Sequence, residues 1–202
     1  DWDLAIKRNS EALKGIIAAL FVMLGLDGDV KVSRIPHPLH RAVLRVLRPA
    51  ESAMRRLIVI AARGLVVKLA PSRPMPRGQI IGKGGGNRLP SFKLFDTRKD
   101  FPELRQRRVK YAKHPPPDGL VNAARLARRL QALKLALDDL PRQARRMARW
   151  RMRRETEKAP KFKSPLRPGY PPGHRKKPTH EVDKVLSECH WLAWEAMKPD
   201  TS

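Results

Sequence analysis

The chain has 202 residues, with Lys+Arg 44 against Asp+Glu 19 and a formal charge of +25. A charge of that size repels itself in a compact state and calls for an acidic partner, with RNA, DNA or an anionic membrane surface as the usual candidates. Prolines number 19, too many for a wholly packed chain, while 41% hydrophobic residues are too many for a wholly disordered one. The expected class is mainly α: a small core of three to five helices joined by long basic connectors rich in proline and glycine. With Cys189 alone, an intrachain disulfide framework is excluded. No secretory signal is visible at the start of the chain. These features suit a cytoplasmic protein, with membrane association as an alternative.

Residues 1–70 read as an apolar helical segment. A helix is expected over 3–26, where Gly15 to Leu26 is apolar on every face, with Asp27-Gly28-Asp29 ending it. That run falls short of the ~20 residues that span a bilayer, so it reads as a fully buried core helix or, alternatively, as an interfacial anchor. A second helical block covers His37 to Leu69, with Pro49 dividing it, because an interior proline removes a hydrogen bond and crowds the preceding turn. Leu57 to Ile60 and Leu65 to Val67 are β-branched enough to suit strands, but no turn signal precedes Gly64 and helix is preferred.

Residues 71–117 form a Pro/Gly-rich basic connector. Within it, Ser91 to Phe95 alternates polar and apolar, as a short strand or a docking segment would, and Arg105, Arg107, Arg108, Lys110 and Lys113 flank Tyr111. Residues 118–155 hold the longest pattern in the chain. Leu126, Leu130, Leu133, Leu137, Leu140, Ala144 and Met147 follow steps of four and three and make one helical seam. Asp118 is expected to cap this helix. Asp139 can cap a restart with Pro141 in the first turn, where a missing N–H costs little, the alternative being one kinked helix with the seam continuing across the join. Residues 156–178 read as a basic, proline-rich, solvated strap. In 179–202 Thr179 should cap an amphipathic helix whose apolar face holds Val182, Val185, Leu186, Cys189, Leu192, Ala193 and Ala196, widened by Trp191 and Trp194.

The strongest chemical signal is the cluster Arg142, Arg145, Arg146, Arg149, Arg151, Arg153 and Arg154, with no acidic residue between Asp139 and Glu155. Solvated charge runs usually alternate in sign, and this one does not. Arginine binds phosphate bidentately and stacks on bases, and Trp150 offers a second stacking surface. The nucleic-acid-binding residues expected are therefore Arg142, Arg145, Arg146, Arg149, Trp150, Arg153 and Arg154, assisted by Arg107, Arg108 and Lys110. Such contacts position a backbone without reading sequence.

Gln79-Ile80-Ile81-Gly82-Lys83-Gly84-Gly85 resembles the I-I-G-x-x-G loop of the KH family of single-stranded nucleic-acid binders. The resemblance implies a glycine loop, Gly82 to Gly85, that lets the backbone approach phosphates. The flanking helices of that family have no counterpart between Pro74, Pro76 and Pro90, so the segment is read as a flexible loop near phosphate. His174, His180, Cys189 and His190 lack the repeated short spacing of a zinc site, and Cys189 on the apolar face reads as a buried thiol. No nucleophile with a base and no paired carboxylates assemble, so no enzyme activity and no cofactor are expected. The partner expected is nucleic acid, either RNA or DNA, or an anionic surface. A peripheral membrane contact through Gly15 to Leu26, or a helical protein partner on the leucine seam, are the alternatives.

Overall fold

The computed structural model describes residues 1–26, 34–69, 89–96, 119–156 and 165–198. Among these the protein is mainly helical: α1 Trp2–Met23, α2 His37–Ala61, α3 Ala124–Asp138, α4 Leu140–Thr156 and α5 Glu181–Glu195, with β1 Arg34–Pro36 and β2 Leu120–Asn122 pairing antiparallel. The Gln79 to Gly85 loop and Arg107, Arg108 and Lys110 lie outside the described residues.

Helix α1 is capped by Asp1, whose Oδ1 accepts from the N–H groups of Asp3 (3.0 Å) and Leu4 (3.3 Å). It ends earlier than Asp27. Gly25, at φ 62, donates to the Val22 carbonyl and Leu26 donates to the Phe21 carbonyl, a paired closure that needs a left-handed residue after the last turn. Nor is the apolar run buried on every face. Leu13, Ile16, Ile17, Leu20 and Leu24 enter the core, while Val22 stays 64% exposed. The small residues Gly15, Ala18 and Ala19 make the other face, and α1 lies at the periphery with only one side covered.

Helix α2 is the central element and touches α1, α3, α4 and α5, packing most extensively on α5. Pro49 does not divide it: the helix is continuous from His37 to Ala61 with Pro49 buried inside. An interior proline costs ~3 kcal/mol. The apolar row Val43, Leu47, Ala50, Ala53, Met54 and Leu57 is buried on both sides of the proline. Each large buried side chain contributes ~1.5–3 kcal/mol, so the row outweighs the lost bond. The β-branched run Val59-Ile60 is helical and buried. The helix stops at Ala61, short of Leu69. Gly64 adopts φ 68, and Leu65 and Val66 are exposed.

The leucine seam packs as its spacing predicts: Leu126, Leu130, Leu133, Leu137, Ala144 and Met147 are buried and Leu140 packs partly buried against the core. The seam is carried by two helices. Asp139 leaves helical geometry at φ −123, ψ 56, and its Oδ1 accepts from Arg142 N–H at 3.2 Å. The start of α3 differs from an Asp118 cap, since the helix begins at Ala124, whose N–H donates to Asn122 Oδ1 at 2.8 Å, directly after β2. The small sheet, in register Arg34↔Asn122 and Ile35↔Val121, had no signal in the sequence.

Residues 165–178 are not solvated throughout, although Pro168 to Tyr170 and Lys176 to Pro178 are exposed. Pro165, Leu166 and Pro171 are buried, and the Asp96 N–H donates to the Pro165 carbonyl at 3.2 Å. Helix α5 begins one residue later than a Thr179 cap implies. Thr179 and His180 N–H both donate to Asp183 Oδ2, which folds back over the helix start. Val182, Val185, Leu186, Cys189, Ala193 and Ala196 of its apolar face are buried and Leu192 packs partly buried against the core, but Trp191 and Trp194 are 65% and 38% exposed and do not widen it.

Candidate polyanion interface

The arginines divide into those the fold consumes and those it leaves in solvent. The segment Leu89 to Asp96 docks on α2 with Phe92 and Leu94 buried, as its alternation implies, but forms no strand. Its carbonyls therefore have no ladder partner and need other donors. Arginine supplies them. Arg146 Nη1 donates to the Phe92 carbonyl at 2.9 Å and Arg55 Nε donates to the Lys93 carbonyl at 3.1 Å. Arg151 Nη1 similarly donates to the Ala62 carbonyl, tying α4 to the end of α2.

Beneath that segment lies a buried ionic cluster. Asp96, its side chain 1% exposed, accepts from Arg56 Nη2 at 2.9 Å and Nη1 at 3.4 Å, and from the Arg167 N–H at 3.3 Å. Arg55 approaches Asp96 from the other side at 3.7 Å. Arg56, with its side chain wholly buried, also donates to the Ser52 carbonyl and hydroxyl and, through Nε, to His190 Nδ1 at 3.1 Å. That bond requires an unprotonated Nδ1. Burial, followed by the neighbouring Arg56 charge, holds the His190 imidazole below its ordinary value. Glu51 binds Arg129 through two bonds of 2.9 Å and pairs with Arg55. Burial likewise pushes the Cys189 thiol up to about 12, with the Glu188 charge second.

The solvent-facing remainder is ordered along α4. Arg142, Arg145, Arg149 and Arg153 are exposed at steps of three and four. That is one stripe about 16 Å long at the usual helical rise. Arg142, Arg145 and Arg149 have no ion-pair partner among the described residues, and Arg149 Nε donates only to the Arg145 carbonyl. Of the other residues expected here, Arg146 is engaged by Phe92. Trp150 is half-buried, edge-on to Phe95 at 5.0 Å with the Arg154 guanidinium over its ring at 5.5 Å. Trp150 thus spends its aromatic surface on the fold rather than standing open for a base.

A second basic surface escaped the sequence reading. A cleft of about 830 Å³ between α2, α3 and the docked segment is lined by His40, Lys93, Arg125, Arg128 and Arg129, with Glu51 and Arg55. Arg125 and Arg128 are exposed. Their spacing of three on a helix whose leucines face inward was the available signal, and the denser cluster downstream outshone it.

No protein-family model, curated protein or solved structure matches this chain. The reading of the site rests on geometry and charge alone. Among the described residues no helix is long and apolar enough to cross a membrane.

Proposed function

We propose that this protein is a non-enzymatic helical module that holds a polyanion, nucleic acid or a nucleoprotein assembly, through non-specific phosphate contacts. The observation that carries the reading is the α4 stripe of Arg142, Arg145 and Arg149, exposed and without an ion-pair partner among the described residues, while the neighbouring Arg146 and Arg151 donate to carbonyls of the fold. Aligned guanidinium groups repel one another, and phosphates relieve that repulsion while the guanidinium groups release the counterions condensed on the nucleic acid. The cleft arginines Arg125 and Arg128 extend the basic surface onto α3.

The test is anisotropy of labelled RNA and duplex DNA against the full chain and Arg145→Gln/Arg149→Gln across a salt series. Each phosphate contact contributes about 0.9 to the log–log salt slope on duplex DNA and about 0.7 on single strands. The double variant should bind more weakly and lose about 1.4–1.8 of that slope. Unchanged affinity and slope would overturn the reading. Arg146 is left intact because its loss would free the Phe92 carbonyl and confound binding with folding.

An anionic membrane surface is the second reading, favoured by the exposed Val22 and Met23 at the end of α1. Liposome flotation with Val22→Asp/Met23→Asp tests it. Leu20 and Leu24 are core residues and unsuitable for that purpose.

A further inference from the structure

The first half of α2 carries a basic cluster that the α4 reading does not use. Arg41, Arg45 and Arg48 stand at steps of four and three on its exposed face, and His174 and Arg175 face them across a cavity of about 350 Å³. The opposing wall is built rather than draped. Gly173, at φ 88, lies so close to α2 that a Cβ there would meet the Pro49 nitrogen at 2.7 Å. Pro171 is buried beside it and accepts from the His174 N–H at 3.1 Å. Tyr170 stacks edge-on against the His174 ring at 4.4 Å, and Arg175 is steadied by one bond to Thr179 Oγ1 at 3.0 Å.

Among the described residues no carboxylate pairs with this cluster. Residues 37–50 and 165–180 contain no Asp or Glu, and Arg41, Arg45, Arg48 and Arg175 have no ion-pair partner among the described residues. One turn further along the same helix the chemistry reverses, with Glu51 pairing Arg55 and Arg129. Like charges spaced three and four apart on a helix destabilise it unless something anionic lies between them. Guanidinium groups converging from two walls offer paired N–H donors to the several oxygens of a phosphoryl group. The volume lies at the low end of the ~300–1,000 Å³ of small-ligand sites, and suits a terminal phosphate or diphosphate better than the flank of a duplex.

We propose that the cavity between Arg41, Arg45 and Arg48 of α2 and His174 and Arg175 of the Gly173 turn is a binding site for a multiply charged phosphoryl group of the phosphomonoester or diphosphate type. It is independent of the nucleic-acid reading of α4. The test is calorimetry of sodium diphosphate against the full chain, Arg45→Gln/Arg48→Gln and Arg145→Gln/Arg149→Gln. The two variants lose the same charge, so bulk electrostatics affects them alike. Thermal unfolding of both verifies that these exposed substitutions leave the fold intact. The α2 variant should bind diphosphate about tenfold or more weakly, as expected for lost charge-assisted bonds. The α4 variant should change by less than about threefold at moderate salt, where exposed charges beyond ~10 Å are screened. Flotation with vesicles containing phosphatidic acid, using the same three proteins, separates the source. Dependence on Arg45 and Arg48 with vesicles but not with free diphosphate assigns the phosphoryl group to a lipid. Equal losses in both variants, or binding of neither ligand, overturns the proposal.

Discussion

Asp96→Ala is the most informative single perturbation of this fold. The carboxylate is almost fully enclosed and is the counter-charge to Arg56, whose own side chain has no exposed surface. Arg55 would retain Glu51, but Arg56 would keep only the neutral Ser52 and His190 acceptors. Removing one partner of a buried pair leaves an uncompensated charge and costs ~3–5 kcal/mol. Domains of this size are stable by ~5–15 kcal/mol, so the variant should lose a large share of its stability. The Arg167 N–H would also lose its acceptor, loosening the 165–178 turn from the Leu89–Asp96 segment. Urea unfolding followed by helical circular dichroism measures the loss. Adding Arg56→Met to Asp96→Ala should restore at least about half of it, because the penalty lies in the stranded charge rather than in a missing attraction. A loss below about 1 kcal/mol for Asp96→Ala, or no recovery in the double variant, would refute the reasoning.

Further outcomes follow from individual contacts. His190 has a folded-state value below its ordinary 6.5, so the unfolded chain binds more protons near that pH. Stability should be full above that value and decline as pH falls through it. His40, lowered mainly by burial, acts in the same direction. Thermal midpoints compared at about pH 7.5 and 5.5 should show a smaller decline in His190→Gln, whose amide oxygen can still accept from Arg56. Gly173→Ala should cost ~1–3 kcal/mol, since backbone would meet backbone at a positive φ. Gly15→Ala, with nothing within 4 Å of its added methyl, should stabilise α1 by ~0.5–1 kcal/mol. Urea midpoints of the two glycine variants measure both. The Cys189 thiol, raised to about 12, should resist a thiol-exchange reagent at neutral pH until the protein is unfolded.

The sequence by itself determined the helical class, the leucine seam from Leu126 to Met147, Asp139 as a capping candidate within that seam and the buried face of α5 around Cys189, while the choice between a break and a kink at Asp139 fell to the structure. These are local matters: a stripe at helical spacing has one way to leave water, and a capping carboxylate acts within three residues. Tertiary structure decided the rest. Whether Pro49 broke α2 depended on how much apolar surface is buried on either side of it, and whether residues 165–178 were solvated depended on Asp96 binding Arg167 across the chain. The same holds for charge. Nothing in the run from Arg142 to Arg154 distinguishes Arg146, which donates to Phe92, from Arg145, which faces solvent. A guanidinium group serves equally as a buried donor to carbonyls and as a phosphate binder, and only the packing of neighbouring elements chooses between them.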